Sequence, residues 1–64
     1  MPDLTTPKYV NEGMHVYAPL KVHGRVGLVP CSVTTAAGYR ALVTSIDDSS
    51  VSQWFHIDEL RIEH

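Results

Sequence analysis

Cys31, four histidines (His15, His23, His56 and His64), two pairs of adjacent carboxylates (Asp47 with Asp48, Asp58 with Glu59) and Gln53 are the side chains on which chemistry could be built. A cysteine nucleophile needs a thiolate and a base beside it. Cys31 follows Pro30 at an expected loop start, an accessible position, but no neighbouring base can be assigned, and a free cysteine commonly serves as a small apolar filler. The histidines show no H-x-H or H-x3-H spacing, so a metal site would need ligands converging from separate strands, whereas structural zinc sites normally carry paired local ligands. No metal is therefore expected. His15 and His56 read as solvent-facing strand residues. Consecutive acids at a turn are far more often turn formers and helix starters than acid and base partners. No phosphate-cradling glycine loop is present. These residues name no reaction by themselves.

The elements that must position them are short. Met14-His15-Val16-Tyr17-Ala18 alternates with a period of two, placing Met14, Val16 and Ala18 on one face and His15 and Tyr17 on the other. Pro19 is expected to end that strand. Gly24 to Val29 reads as a second strand, with Val26 and Leu28 on one face, Gly27 marking a bulge or close approach, and Pro30 as its stop. Cys31 to Gly38 is expected as a loop. Tyr39 to Ile46, rich in β-branched and aromatic residues, reads as a central strand. Asp47-Asp48-Ser49-Ser50 forms a turn into a partner strand over Val51 to Ile57. Asp58-Glu59 is expected to start one turn of helix before Leu60-Arg61-Ile62 closes the sheet.

A chain of 64 residues holds one modest core, because domains of this size bury only about 60% of the unfolded surface. The reading is residues 1–12 as a flexible lead-in and 13–64 as one barrel. The lone Cys31 excludes an internal disulfide, which by elimination leaves a metal or an oligomer as the source of extra stability, and the oligomer is favoured. Five Lys and Arg residues (Lys8, Lys21, Arg25, Arg40, Arg61) lie singly among seven acids, for a net charge of -2. Nucleic-acid binding relies on a clustered basic face, so it is disfavoured, although folding could gather Lys21, Arg25 and Arg40. No stretch approaches the roughly 20 apolar residues of a membrane span, and the start lacks the pattern of a signal peptide. A cytoplasmic, non-membrane setting is expected.

Short strands, a polar loop, a tight hairpin and one helical turn before the last strand describe an all-β, five-stranded antiparallel barrel that resembles the SH3-like barrels. The run Gly24-x-x-Gly27-x-Val29 after Gly13-x-x-Val16 also resembles the KOW modules of translation and transcription, which implies binding to RNA or ribosomal proteins. A longer likeness covers Gly13-Met14, Gly24 and Gly27, Cys31-Ser32-x-x-Thr35-x-x-Gly38-Tyr39 and Ser52-Gln53-Trp54-Phe55. These resemble the plasmid-borne type II dihydrofolate reductases, which join four such barrels around one pore. The resemblance implies NADPH as cofactor, Gln53 orienting nicotinamide and pterin, Trp54 and Phe55 beside them, and Lys21 as the cation for folate carboxylates. The chain departs from that family where Ser52 replaces valine, Trp54 replaces isoleucine and Phe55 lacks a tyrosine hydroxyl. Outside this resemblance no cofactor is expected.

Trp54 and Phe55 are adjacent on a strand and must point to opposite faces, so they cannot both fill one small core. One of them is left for an interface or for cover by the lead-in. An exposed aromatic on a polar-rimmed patch marks association. The sequence therefore points to an SH3-like binding or assembly module, acting through a homo-oligomer or a protein partner, with Tyr17, Tyr39, Trp54 and His56 as contact residues. The reductase is the alternative, and a small nucleic-acid-binding barrel a third.

Overall fold

The computed structural model describes residues 3–22 and 24–63. In chain order its elements are β1 (Leu4–Thr5), β2 (His15–Val22), β3 (Arg25–Ala37), β4 (Arg40–Ser45), β5 (Ser52–His56), a single 3-10 turn η1 (Ile57–Glu59) and β6 (Ile62–Glu63). Strands β2-β3-β4-β5 form a curled antiparallel sheet, and β1 pairs with β6 in a second, two-stranded one. The expected all-β class and the one-turn helix before the last strand are both present. Among the described residues the five expected strands are instead six in two sheets, because the chain before Gly13 also contributes a strand.

Two prolines expected to stop strands do not. Pro19 lies inside β2, which is an edge strand. The exchange of main-chain bonds between Tyr17 and Arg61, across from β3, shows that odd-numbered residues of β2 aim their amides away from β3. A missing N–H at position 19 therefore costs the β2–β3 ladder nothing. Pro30 sits in β3 where β4 has just ended: its carbonyl accepts from the Ile46 amide, and no strand donor is required of it in return. Consequently β3 runs for 13 residues, and the segment expected as a loop, Cys31 to Ala37, is its second half. Cys31 and Val33 alternate inward there, between β2 and β4.

The bulge expected at Gly27 lies elsewhere. Gly27 pairs regularly with Leu20, whereas the β3–β4 register shifts between Val33 and Thr35, leaving Thr34 as the extra residue. Such an insertion sharpens the local twist and helps the sheet curl over its inner face. The return into β4 takes only Gly38 and Tyr39, and Gly38 adopts a left-handed φ of 63° that a side chain would resist.

The core occupies the concave side of the curled sheet. Val16, Ala18 and Leu20 of β2, Cys31 and Val33 of β3, Ala41 and Val43 of β4, and Phe55 of β5 are all buried there, with Ile57 and Leu60 from the chain beyond β5. The expected split of β2 is observed, since Val16 and Ala18 are buried, Met14 partly so, and His15 is exposed. The lead-in expected to be flexible places Val10 in this core and Leu4–Thr5 against β6. Two-sided alternation is weak before Gly13, so its role was not legible from periodicity.

Candidate association surface

The outer face of β4 and β5 is built by register. Arg40 lies opposite His56, Leu42 opposite Trp54 and Thr44 opposite Ser52. The flanking bonds, Ser45 N–H to Val51 and Ile57 N–H to Tyr39, make Val43 with Gln53 and Ala41 with Phe55 the mutually hydrogen-bonded pairs. Phe55 therefore turns inward and is 5% exposed, while Trp54 turns outward and is 49% exposed. The adjacency of the two aromatics is resolved in this way, with Phe55 in the core. The lead-in does not cover Trp54; it packs instead beside β6, where Thr5, Thr6, Lys8 and Tyr9 line a hollow with Met14 and Ile62.

Beside Trp54, the Tyr39 and His56 rings stack with centroids 6.1 Å apart and planes inclined by 8°, within the range of favourable offset aromatic pairs. Tyr39 is 73% exposed, and its carbonyl accepts the Ile57 amide, tying the β3–β4 turn to η1. His56 is held by two hydrogen bonds. Its Nδ1 accepts the Asp58 amide at 3.2 Å and lies 3.5 Å from the Asp58 carboxylate, and its own amide donates to Glu59 Oε1 at 3.3 Å. This is a reciprocal capping box in which histidine takes the usual serine or threonine position. Arg61 completes the brace by donating from Nη1 to the carbonyls of Asp58 and Leu60, each at 2.7 Å. Arg40, Trp54, Phe55, His56 and Glu59 line a shallow hollow of about 280 Å³. Toward the other end of β5, hydroxyls of Thr34, Thr44 and Ser52 form a row with spacings of 2.7 and 2.9 Å. The face is thus an aromatic and charged end joined to a hydroxyl row, with Leu42 and Trp54 between them.

Three of the four expected contact residues, Tyr39, Trp54 and His56, are brought together. Tyr17 is not. It lies on β2, opposite Pro30, and its hydroxyl donates to Glu63 Oε1. That bond raises the phenol pKa, with smaller contributions in the same direction from desolvation and from the Glu63 charge. Sequence reasoning missed Arg40 and Leu42 as members of the face. Only the cross-strand register, in which paired residue numbers sum to 96, places them there.

The other candidate chemistry separates. Cys31, expected at an accessible loop start, is fully buried inside β3, and that burial pushes its thiol pKa up. A thiol so placed is a poor thiolate. Gln53 is exposed, but Phe55 beside it fills the core. Lys21, the cation expected for folate carboxylates, lines a hollow of about 650 Å³ together with Asp47 and Asp48. Lys21 and Arg25 lie at one end of the β2–β3 hairpin and Arg40 pairs with Ala37 at the far end of β3, so folding does not gather these cations. Among the described residues no group of three or more His, Cys, Asp or Glu side chains is arranged to hold a metal; His23 and His64 lie outside the described residues. No helix is long and apolar enough to cross a membrane among the described residues.

Comparison with protein-family models, with curated proteins and with solved structures finds no match to this chain.

Proposed function

We propose that this chain is a small barrel of the SH3-like kind that works as a protein-association module, through self-association or a protein partner, with Tyr39, Trp54 and His56 as its contact face. The observation that carries the reading is the opposite fate of two adjacent aromatics. Phe55 completes the core, while Trp54, on the same short strand, stays half exposed next to a stacked Tyr39–His56 pair. Large aromatics at rigid, partly exposed positions supply contact area at low entropic cost, which is why they dominate association hot spots. The capping box and Arg61 brace supply the rigidity here.

The reductase reading asks for Gln53, an aromatic neighbour and a free cation around one cavity. Phe55 in the core, and a cation whose hollow is lined by Asp47 and Asp48 and not by Gln53, favour association instead.

Sedimentation velocity over a concentration series tests the proposal. The expected result is a species heavier than the monomer that dissociates on dilution and shifts to monomer in Tyr39→Ala and Trp54→Ala. A chain that stays monomeric at the highest attainable concentration overturns self-association, and an oligomer indifferent to both substitutions overturns the contact face.

A further inference from the structure

Resting on that association face, we infer that its occupant is a second copy of this chain, added as a strand: β5 pairs antiparallel with its own copy across a two-fold axis at Trp54. The argument begins with the main chain. Because Gln53 and Phe55 spend their amides and carbonyls on β4, the intervening Ser52, Trp54 and His56 direct theirs to the other side. No strand lies on that side among the described residues. Only the His56 amide is already taken, by Glu59 Oε1. Five outward groups remain on the edge: both from Ser52, both from Trp54 and the His56 carbonyl.

Unpaired edges are templates for further strands, and proteins usually blunt them with proline, lysine, bulges or cover. The opposite edge of this sheet carries such devices. Tyr17 there exchanges both of its main-chain bonds with Arg61, Pro19 has no amide to offer at an outward position, and Lys21 follows. Strand β5, Ser52-Gln53-Trp54-Phe55-His56, holds no proline, lysine or bulge and no permanently charged residue. An edge left open beside an exposed tryptophan fits use.

A second copy fits because an antiparallel strand is self-complementary about a two-fold axis. The register that keeps all five residues paired sets Trp54 opposite Trp54 of the partner subunit and Ser52 opposite His56 of the partner subunit. Trp54 then exchanges two bonds with its equivalent, and each Ser52 amide donates to the opposing His56 carbonyl. Four ladder bonds result. This register leaves out the His56 amide, which Glu59 already satisfies, and the Ser52 carbonyl it would have met, which stays exposed to water at the end of the ladder. Both indoles fall on one face of the joined sheet, next to both Tyr39–His56 stacks, and no formally charged pair is forced together within the strand.

The test uses the full chain. Ser52→Pro removes an outward amide that β4 does not need, and with it two of the four ladder bonds per dimer. Its dimer dissociation constant is expected to rise about 30-fold, with the fold checked by circular dichroism. Independently, hydrogen exchange at the Trp54 amide is expected to slow by about tenfold or more between dilute monomer and concentrated dimer. A dimer that Tyr39→Ala dissociates, but in which Ser52→Pro has no effect and the Trp54 amide exchanges freely, overturns strand addition while leaving the association face intact. Concentration-dependent protection at Lys21 in place of Trp54 assigns dimerisation to the β2 edge and also overturns it. A chain monomeric at every concentration removes self-association at the face and the strand pairing with it.

Discussion

At the β2 edge of the sheet, Tyr17 and Arg61 trade main-chain bonds of 2.7 and 2.9 Å, and Pro19 and Lys21 occupy the next outward positions. At the β5 edge, Ser52 and Trp54 offer their amides and carbonyls to solvent, and the indole of Trp54 stands beside them. Both strands turn one face to the same core, β2 through Val16, Ala18 and Leu20 and β5 through Phe55 alone, so each is anchored by burial. What differs is the state of the main chain. The chain's own return from η1 closes part of one edge, while the other stays open next to the largest aromatic in the protein. The proposed association therefore belongs to the β5 edge, while the β2 edge is partly closed by Arg61.

The largest effect that would sharpen this comparison lies within β5 itself. Phe55→Ala is expected to cost about 3–5 kcal/mol of folding stability in a denaturant titration, whereas Trp54→Ala should cost no more than about 1 kcal/mol and abolish association. Equal losses of stability in the two variants would show that Trp54 is structural. Next, the double variant Pro19→Val with Lys21→Val strips two protections from the β2 edge, and light scattering should report new higher-order species. If the variant scatters no more than the parent, the Tyr17–Arg61 exchange alone protects that edge.

Smaller effects test the supports. His56→Ala removes both the cap on the Asp58 amide and the ring stacked on Tyr39; thermal unfolding should show a loss of about 1 kcal/mol, with weakened association alongside it. Tyr17→Phe should be the mildest. The Glu63 hydrogen bond raises the Tyr17 pKa above its ordinary value of 10.0, so the folded state holds this proton more tightly than the unfolded chain does. The contribution is complete below that ordinary value and is lost as pH rises through the raised one. A series of unfolding midpoints through the alkaline range should fall less steeply in Tyr17→Phe than in the parent, and identical slopes would show that the bond does not discriminate between the folded and unfolded chain.

Much of the fold was legible along the chain. The two-residue alternation of β2, the β-branched run of β4, the Asp47 to Ser50 turn and the single helical turn after His56 are local signals, written by propensity and side-chain chemistry. The misreadings at Pro19 and Pro30 share one cause. Whether a proline interrupts a strand depends on whether a neighbour needs its missing amide, and neighbours are not visible in a single strand. Reading Pro30 as a stop in turn hid the alternation of Cys31 and Val33, which then looked like a polar loop. The strand at Leu4–Thr5 was missed because two residues carry no period, and only their pairing with Ile62–Glu63 defines them.

The candidate face divides in the same way. That Trp54 and Phe55 must part company follows from strand geometry and could be stated from the residues alone, as could the exclusion of a disulfide by a single cysteine. Which of the two goes inward was decided by the register with β4, because the bonds at Ser45 and Tyr39 fix the phase of the whole hairpin. The same phase brought Leu42 and Arg40 beneath Trp54 and His56, and sent Tyr17 to a different edge. Sequence determined an all-β chain with one aromatic too many for its core; the tertiary structure decided where that aromatic stands and which edge stays open, since both depend on hydrogen bonds between residues far apart along the chain.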